Sequence, residues 1–266
     1  MKLRIRHETA HDYEAPSAST VQLIRLTPRS HGGQRVRYWR VGDGSWPSFE
    51  DGFGNWTQFR AVQRPHGRVR VVAEGEVETV DTQGVLRDTR ETLPVGAYLR
   101  ETGRTHPDDA IRALAEDVLR SANTELDRLH TLMQLVRDKV DWVVGATEST
   151  TTAAEALAHG RGVCQDHAQL FCSAARLLGM PARYVSGYFW PGEDGRDEPA
   201  SHAWAEGFVP ALGWVGFDAA NRQCPTDRYV RVAIGLDSFA AAPVHGVHFG
   251  SGADSLAVTV RVDADQ

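Results

Sequence analysis

The sequence has few cysteines and no long apolar run. Its 266 residues include only three cysteines, an odd and low number that argues against a disulfide framework. Charged residues interrupt every apolar stretch well short of the ~18 residues that a membrane span needs, and residues 1–8 lack the apolar centre of a signal peptide. We therefore expect a cytoplasmic protein with free thiols and no membrane partner.

The chain also lacks an excess of positive charge. Its formal net charge is -6, and its arginines are interspersed with acidic residues rather than gathered in runs. Such a surface offers no footprint for nucleic acid or for an anionic membrane. A hydrophobic content of 41% over this length is enough to build a core in one large or two modest domains.

Residues 1–82 have the pattern of an all-β, sandwich-like domain. Alternating or β-branched runs are separated by turn sequences such as Asp51-Gly52-Phe53-Gly54-Asn55. His7 and His11 are four residues apart, which in a strand is about 13 Å, so we expect them on the surface rather than as metal ligands. The predicted strands span residues 2–13, 20–27, 34–41, 55–63 and 68–81.

The rest of the chain indicates a linker followed by an α+β domain. Residues 83–105 lose periodicity and are interrupted by Gly and Pro, so they are interpreted as a linker, and residues 106–266 as the second domain. The Asp194–Glu198 loop is expected either to line a substrate cleft or to be a plain surface loop. Helices are predicted from 107, over 124–140, from 152 and from 164; strands are predicted at 182–190, 201–209, 213–219, 229–233 and 256–262.

One stretch combines a tight turn with a cysteine. Gly160 and Gly162 precede Cys164, and an Ala/Leu-rich helix follows that Gly179 and Pro181 stop. The unpaired N–H groups and positive dipole end of a helix start favour a negative charge, so a thiol at this position should ionise readily. Cys164 is therefore a candidate nucleophile, whereas Cys172, without this turn, has the ordinary interpretation of a buried core cysteine.

Two downstream residues match the roles that a cysteine nucleophile needs. Strand alternation puts His202, Trp204 and Glu206 on one face, and Trp214 and Asp218 share a face of the next strand. If an odd-numbered loop joins these strands, His202 and Asp218 lie on one face within about one rung, close enough for a hydrogen bond. The imidazole would take the thiol proton, and the carboxylate would orient the ring.

Metal binding is the alternative for the same stretch. Cys164 and His167 are three residues apart, which is a feasible ligand pair on one helix face. Cys224 is distant in sequence and has no paired spacing with them, so a zinc site is disfavoured. No cofactor and no metal ion are expected.

Several motifs together resemble the bacterial transglutaminase-like cysteine protease family. In the second domain they are Gly-Val-Cys-Gln-Asp-His-Ala at 162–168, Leu-Gly-Met-Pro-Ala-Arg-Tyr-Val-Ser-Gly-Tyr at 178–188, His-Ala-Trp-Ala-Glu at 202–206 and Gly-Trp-Val-Gly-Phe-Asp-Ala at 213–219. In the first domain, Leu-Thr-Pro-Arg at 26–29, Gln34 and the 51–55 turn are similar to the β domain that precedes the core in bacterial members. The resemblance covers most of the chain.

The resemblance implies a papain-like α+β core with a Cys-His-Asp triad, here Cys164, His202 and Asp218. It also implies an oxyanion hole made by the Cys164 backbone N–H and often by an upstream aromatic side chain. Trp142 is the nearest match for that side chain, with core packing as the alternative. The calcium-binding and barrel domains of eukaryotic transglutaminases are lacking, so calcium-dependent crosslinking is not expected.

The expected function is a thiol-dependent amide or peptide hydrolase that forms an acyl-thioester on Cys164. Its substrate would be a peptide or a protein. An acyltransferase that uses an amine in place of water remains open, as does a non-catalytic peptide-binding module. The sequence does not define the oligomeric state.

Overall fold

Alternating apolar and polar residues in the first segment form long strands. The structure, a computed structural model, describes residues 1–192 and 200–265. The alternation is clearest in β2, where every second residue is buried. The predicted strands are confirmed, and a short strand, β4, is added to them. They are β1 Lys2–Ser17, β2 Ser19–Thr27, β3 Gln34–Val41, β4 Ser48–Glu50, β5 Trp56–Val62 and β6 His66–Thr79.

The helices of the second part begin at the capping residues that the sequence indicated. The Thr152 and Glu155 side chains form a capping box at the start of α3, each bonding the other's backbone N–H. The fourth helix, α4, is buried along almost its whole length and packs against the other three helices and the sheet. The helices are α1 Asp109–Ser121, α2 Glu125–Lys139, α3 Ala153–His159 and α4 Cys164–Leu177.

An antiparallel sheet packs against α4. Its strand order is β11-β10-β9-β12, and its central strands are buried on both faces. A two-residue parallel pair, β7 Asp141–Trp142 with β8 Arg161–Gly162, lies just before α4. The mixed α+β fold class is therefore confirmed. The strands of this sheet are β9 Ala182–Phe189, β10 Ser201–Val209, β11 Gly213–Phe217 and β12 Tyr229–Gly235.

The last two strands return to the sheets of the first segment. Strand β13, Val244–Phe249, pairs with β2, and β14, Asp254–Asp265, pairs with β1. The two resulting sheets have the orders β14-β1-β6-β3 and β13-β2-β5-β4. This pairing differs from the expectation that residues 106–266 form one catalytic core. Alternation in the sequence identifies a strand but not its partner, which is chosen by long-range packing.

Two buried amide side chains join the first segment to β12. The Gln34 side chain donates to Arg231 O at 2.9 Å and accepts from Arg231 N at 2.8 Å. The Asn55 side chain pairs with Ile234 in the same way, with both bonds at 2.8 Å. Each amide thus satisfies a backbone donor and acceptor of β12, as a neighbouring strand would.

His7 is buried, so the expectation of a surface position is wrong. Its side chain contacts Tyr188 of β9 through Nδ1 at 3.1 Å and Thr9 through Nε2 at 2.9 Å. Strand alternation points one face of β1 toward the second part of the molecule, and His7 lies on that face. Burial lowers the pKa of His7 to about 4.

The acidic loop at 194–198 lies outside the described residues.

Among the residues that the structure describes, none of the helices combines the length and the apolar character needed to cross a bilayer.

Burial of His7 should make the stability depend on pH. Between its folded pKa of about 4 and its unfolded value of about 6.5, the unfolded chain binds the extra proton, so stability falls as the pH falls through this window. The loss at the lower end is about 3 kcal/mol for this residue. Urea unfolding over this pH range should show a weaker pH dependence in His7→Gln than in the wild type.

The matched control is Tyr188→Phe, which removes the hydrogen bond but keeps the buried imidazole. It should lower stability at every pH and retain the pH dependence. A wild-type pH dependence in His7→Gln would contradict this account of His7.

Candidate active site

A tight connection places Cys164 at the first position of α4. Gly160 ends α3 with φ 63°, in the left-handed region. A Cβ on Gly162 would lie 2.8 Å from the Asp166 side chain. The Asp166 carboxylate accepts from Val163 N at 2.8 Å and from the Thr147 hydroxyl at 2.6 Å. The two glycines and the Asp166 hydrogen bonds therefore fix the conformation of the turn. As a result, the Cys164 sulfur lies at the positive end of a helix.

His202 and Asp218 form a short, buried hydrogen bond. The Nε2 of His202 lies 2.7 Å from the Asp218 carboxylate, and both residues are buried. Strands β10 and β11 pair with Val209 opposite Gly213, so three residues form the loop. The odd loop length confirms the parity argument, and the predicted contact between the two side chains is present.

The Asp218 carboxylate receives two further donors that the sequence reasoning missed. Its Oδ2 accepts from the Tyr229 hydroxyl and from the Asn221 side chain, each at 2.7 Å. The Tyr229 hydroxyl in turn accepts from the Gln223 side chain at 2.8 Å. Burial alone would raise the pKa of Asp218, but the charge of His202 and these donors hold it below the usual range. Tyr229 begins a strand that the sequence predicted. Nothing in the local sequence indicated that its hydroxyl would contact Asp218.

Charges around the His202 ring determine its protonation. Burial favours the neutral ring, yet the Asp218 carboxylate and then Cys164 outweigh burial and raise the pKa of His202 to about 10. Cys164 lines the same cleft as His202. Because Nε2 is bonded to Asp218, Nδ1 is the nitrogen left for the thiol. The three predicted residues therefore come together around the cleft, and the raised pKa favours the charged form of the His202 ring.

Both parts of the molecule line the cleft that contains Cys164 and His202. The cleft has a volume of about 450 Å³. Its core-side wall includes Tyr184 and Ser186 of β9, and its opposite wall includes Val244 and His245 of β13 and Leu256 of β14. The returning strands therefore contribute directly to the surface that a substrate would meet.

Trp142 and His167 form a separate stack beside the cleft. Their rings are parallel within 2°, with centroids 6.1 Å apart, and Trp142 is not among the residues that line the cleft. The His167 ring contacts Val163 O through Nδ1 at 2.9 Å and Val140 O through Nε2 at 2.8 Å. With a carbonyl oxygen against each ring nitrogen, His167 does not have the geometry of a metal ligand.

The other two cysteines lie in apolar surroundings. Cys172 is fully buried on α4, and burial raises the pKa of its thiol to about 12. Burial likewise raises the pKa of the Cys224 thiol to about 11. All three cysteines are free. Of the three, Cys164 alone is accompanied by an imidazole and a carboxylate.

A buried ion cluster fixes the strand that carries His202. Glu206, four residues further along β10, is fully buried and contacts Arg183 at 2.5 Å and Arg231 at 2.7 Å. Burial alone would raise the pKa of Glu206, but these two guanidinium groups lower it to about 2. Arg183 also lies 3.9 Å from the centroid of the Trp214 ring. The cluster joins strands β9, β10 and β12 behind the site.

Replacing Asp218 by Asn should lower the pKa of His202 from about 10. Burial, which favours the neutral ring, would remain, while the largest opposing charge would be removed. An NMR pH titration of the His202 ring measures the change. Asp227→Asn is the matched control, since Asp227 contacts the N-terminal amine at 3.6 Å and is one-third exposed. An unchanged His202 pKa in Asp218→Asn would contradict the assignment.

Comparisons with known proteins agree with this architecture. "Transglutaminase-like superfamily" matches residues 112–219, a range that contains all three predicted site residues, and "Bacterial transglutaminase-like N-terminal region" matches residues 3–78. The Mycobacterium leprae protein named "Uncharacterized protein ML0607" is 30% identical over 278 residues, covering 98% of each chain. "Uncharacterized protein Rv2569c" of Mycobacterium tuberculosis is 27% identical, covering 98% of this chain and 92% of the relative.

A solved structure has the same fold. It is the crystal structure of "a Putative Cysteine Protease from Cytophaga hutchinsonii", with a TM-score of 0.77 and 20% identity, covering 100% of this chain and 92% of that one. Together with the motifs around Cys164, His202 and Asp218, these matches identify the family. The chain belongs to the transglutaminase-like superfamily and carries the bacterial transglutaminase-like N-terminal region.

Proposed function

We propose that the protein is a thiol-dependent amide or peptide hydrolase that acts through Cys164, His202 and Asp218. One observation carries the proposal. A buried imidazole, bonded to a carboxylate at 2.7 Å, shares a cleft with a cysteine at a helix start. These are the nucleophile, base and orienting group that cysteine-dependent acyl transfer requires.

The reacting form of the site is a thiolate and imidazolium pair, in which His202 holds the thiol proton. Asp218 stabilises the charged ring of His202, and the ring together with the start of α4 stabilises the charged sulfur of Cys164. The sulfur attacks as an anion once its proton is on His202. The proton needed later is already stored on His202.

Acylation forms one bond and breaks another. The Cys164 sulfur bonds to the carbonyl carbon, and the C=O π pair moves onto oxygen to give a tetrahedral oxyanion. When the oxyanion collapses, the C–N bond breaks and the leaving nitrogen takes the proton from His202. The products are an acyl-thioester on Cys164, a neutral His202 and a free amine.

Hydrolysis returns the site to its starting state. Neutral His202 takes a proton from water as the water oxygen attacks the thioester carbon. The C–S bond then breaks, which releases a carboxylic acid and regenerates the thiolate beside the imidazolium. In the acyltransferase alternative, an amine replaces this water. We favour water because neither the sequence nor the cleft residues indicate a dedicated amine site.

The cleft favours a peptide or protein as substrate. Its two walls come from the core sheet and the returning strands, and four serines are among its lining residues: Ser149, Ser186, Ser201 and Ser238. Such a mixed polar and apolar lining suits an extended chain whose backbone amides need hydrogen-bond partners.

The presence of all three proposed triad residues argues against a non-catalytic peptide-binding module. Three free cysteines support the cytoplasm as compartment.

Loss of either reacting group should abolish turnover of a generic protein probe. With dimethylated casein, Cys164→Ala should release neither ammonia nor new N-termini, and His202→Ala should lose at least about 1000-fold in rate. Free ammonia and new N-termini are measured together with dansylcadaverine incorporation from the same reactions. Incorporation of the amine without hydrolysis would overturn the preference for the hydrolase.

Cys172→Ala is the matched control, because Cys172 is a buried thiol on the same helix and outside the cleft. It should retain wild-type turnover. Activity that persists in Cys164→Ala would contradict the proposed nucleophile.

A further inference from the structure

The proposed reaction needs donors for the tetrahedral oxyanion. The Cys164 N–H is one of the first N–H groups of α4, which have no partner within the helix. A second donor should come from a side chain in the cleft. Trp142 stacks on His167 instead, and it is not among the cleft residues.

Tyr184 is an aromatic residue with a hydroxyl donor that does line the cleft. It is on β9, is 4% exposed, and lines the cleft together with Cys164 and His202. Across residues 1–192 and 200–265, no hydrogen bond involves its hydroxyl. By contrast, Ser186, two residues along the same face, donates to Ala241 O at 2.7 Å.

The Tyr184 hydroxyl is not among the fully buried polar atoms that lack a partner, which agrees with a hydroxyl at the surface of the cleft. It is therefore available to donate a hydrogen bond to a ligand in the cleft beside Cys164.

The chemistry of Tyr184 suits a donor. Burial and then the charge of Cys164 raise the pKa of its hydroxyl well above the ordinary value. The group therefore keeps its proton throughout the pH range in which the enzyme would work, and it can donate a hydrogen bond to an anion.

We propose that the Tyr184 hydroxyl and the Cys164 N–H together form the oxyanion hole. When the Cys164 sulfur bonds to the carbonyl carbon, the electron pair that moves to oxygen is stabilised by these two hydrogen bonds. No proton is transferred to the oxyanion, and collapse of the intermediate returns the pair to the C=O bond. This inference rests on the proposed function, since it assigns a further catalytic residue to the same reaction.

Tyr184→Phe tests this inference with a probe that does not depend on the natural substrate. Acylation of Cys164 by p-nitrophenyl acetate passes through an oxyanion, whereas alkylation by iodoacetamide does not. We expect Tyr184→Phe to slow acylation by about 100-fold or more, to leave the rate and pH profile of alkylation unchanged, and to leave the melting temperature nearly unchanged.

Two aromatic variants serve as comparisons. Tyr188 is on the same strand as Tyr184 but does not line the cleft, and its buried hydroxyl contacts His7. Tyr188→Phe removes that hydroxyl and should acylate at the wild-type rate. Trp142→Phe removes the indole N–H that the family resemblance offered, and should also acylate at nearly the wild-type rate.

The outcomes separate this inference from the function on which it rests. Wild-type acylation in Tyr184→Phe, an equal loss in alkylation, or a loss carried by Trp142→Phe instead would overturn the role of Tyr184 and leave the hydrolase proposal intact. If p-nitrophenyl acetate did not acylate Cys164 of the wild type at all, the proposed function would fail and the oxyanion hole with it.

Discussion

The hydrogen bond between His202 Nε2 and Asp218 Oδ2, at 2.7 Å, is the contact on which the site depends. It raises the pKa of a buried imidazole although burial opposes the charged form. A charged ring can hold a thiolate and later deliver a proton, which a neutral buried ring could not do. The donors around Asp218 matter because they keep this carboxylate ionised and oriented.

This arrangement connects the N-terminal β domain to the chemistry. The Gln34 and Asn55 amides pair with the backbone of β12, and β12 begins with Tyr229, which donates to Asp218. The same domain receives β13 and β14, which form one wall of the cleft. The β domain thus supports the proposed triad from behind and forms one wall of the cleft in front, so we regard the two parts as one unit.

Local patterns predicted most of the elements, and they indicated that His202 and Asp218 would be in contact and that Cys164 would begin a helix. The Thr152 capping box, the glycines before Cys164 and the odd hairpin loop after His202 each depend on residues close in sequence. Long-range packing determined what the sequence reasoning missed. The partners of β13 and β14, the burial of His7 and the Tyr229 contact with Asp218 join residues far apart in the chain, and no local spacing encodes them. Trp142 stacks on His167 and is not among the residues that line the cleft, so the family match alone does not assign its role.

The reactivity of the three thiols tests the central claim most directly. Iodoacetamide labelling of the folded protein across pH, read for each cysteine by mass spectrometry, reports where a thiolate exists. We predict that Cys164 alone reacts fast at neutral pH and below, that Cys172 and Cys224 react slowly because burial raises the pKa of their thiols, and that His202→Ala slows Cys164. Equal labelling of the three thiols, or a Cys164 rate that does not depend on His202, would contradict the thiolate and imidazolium pair.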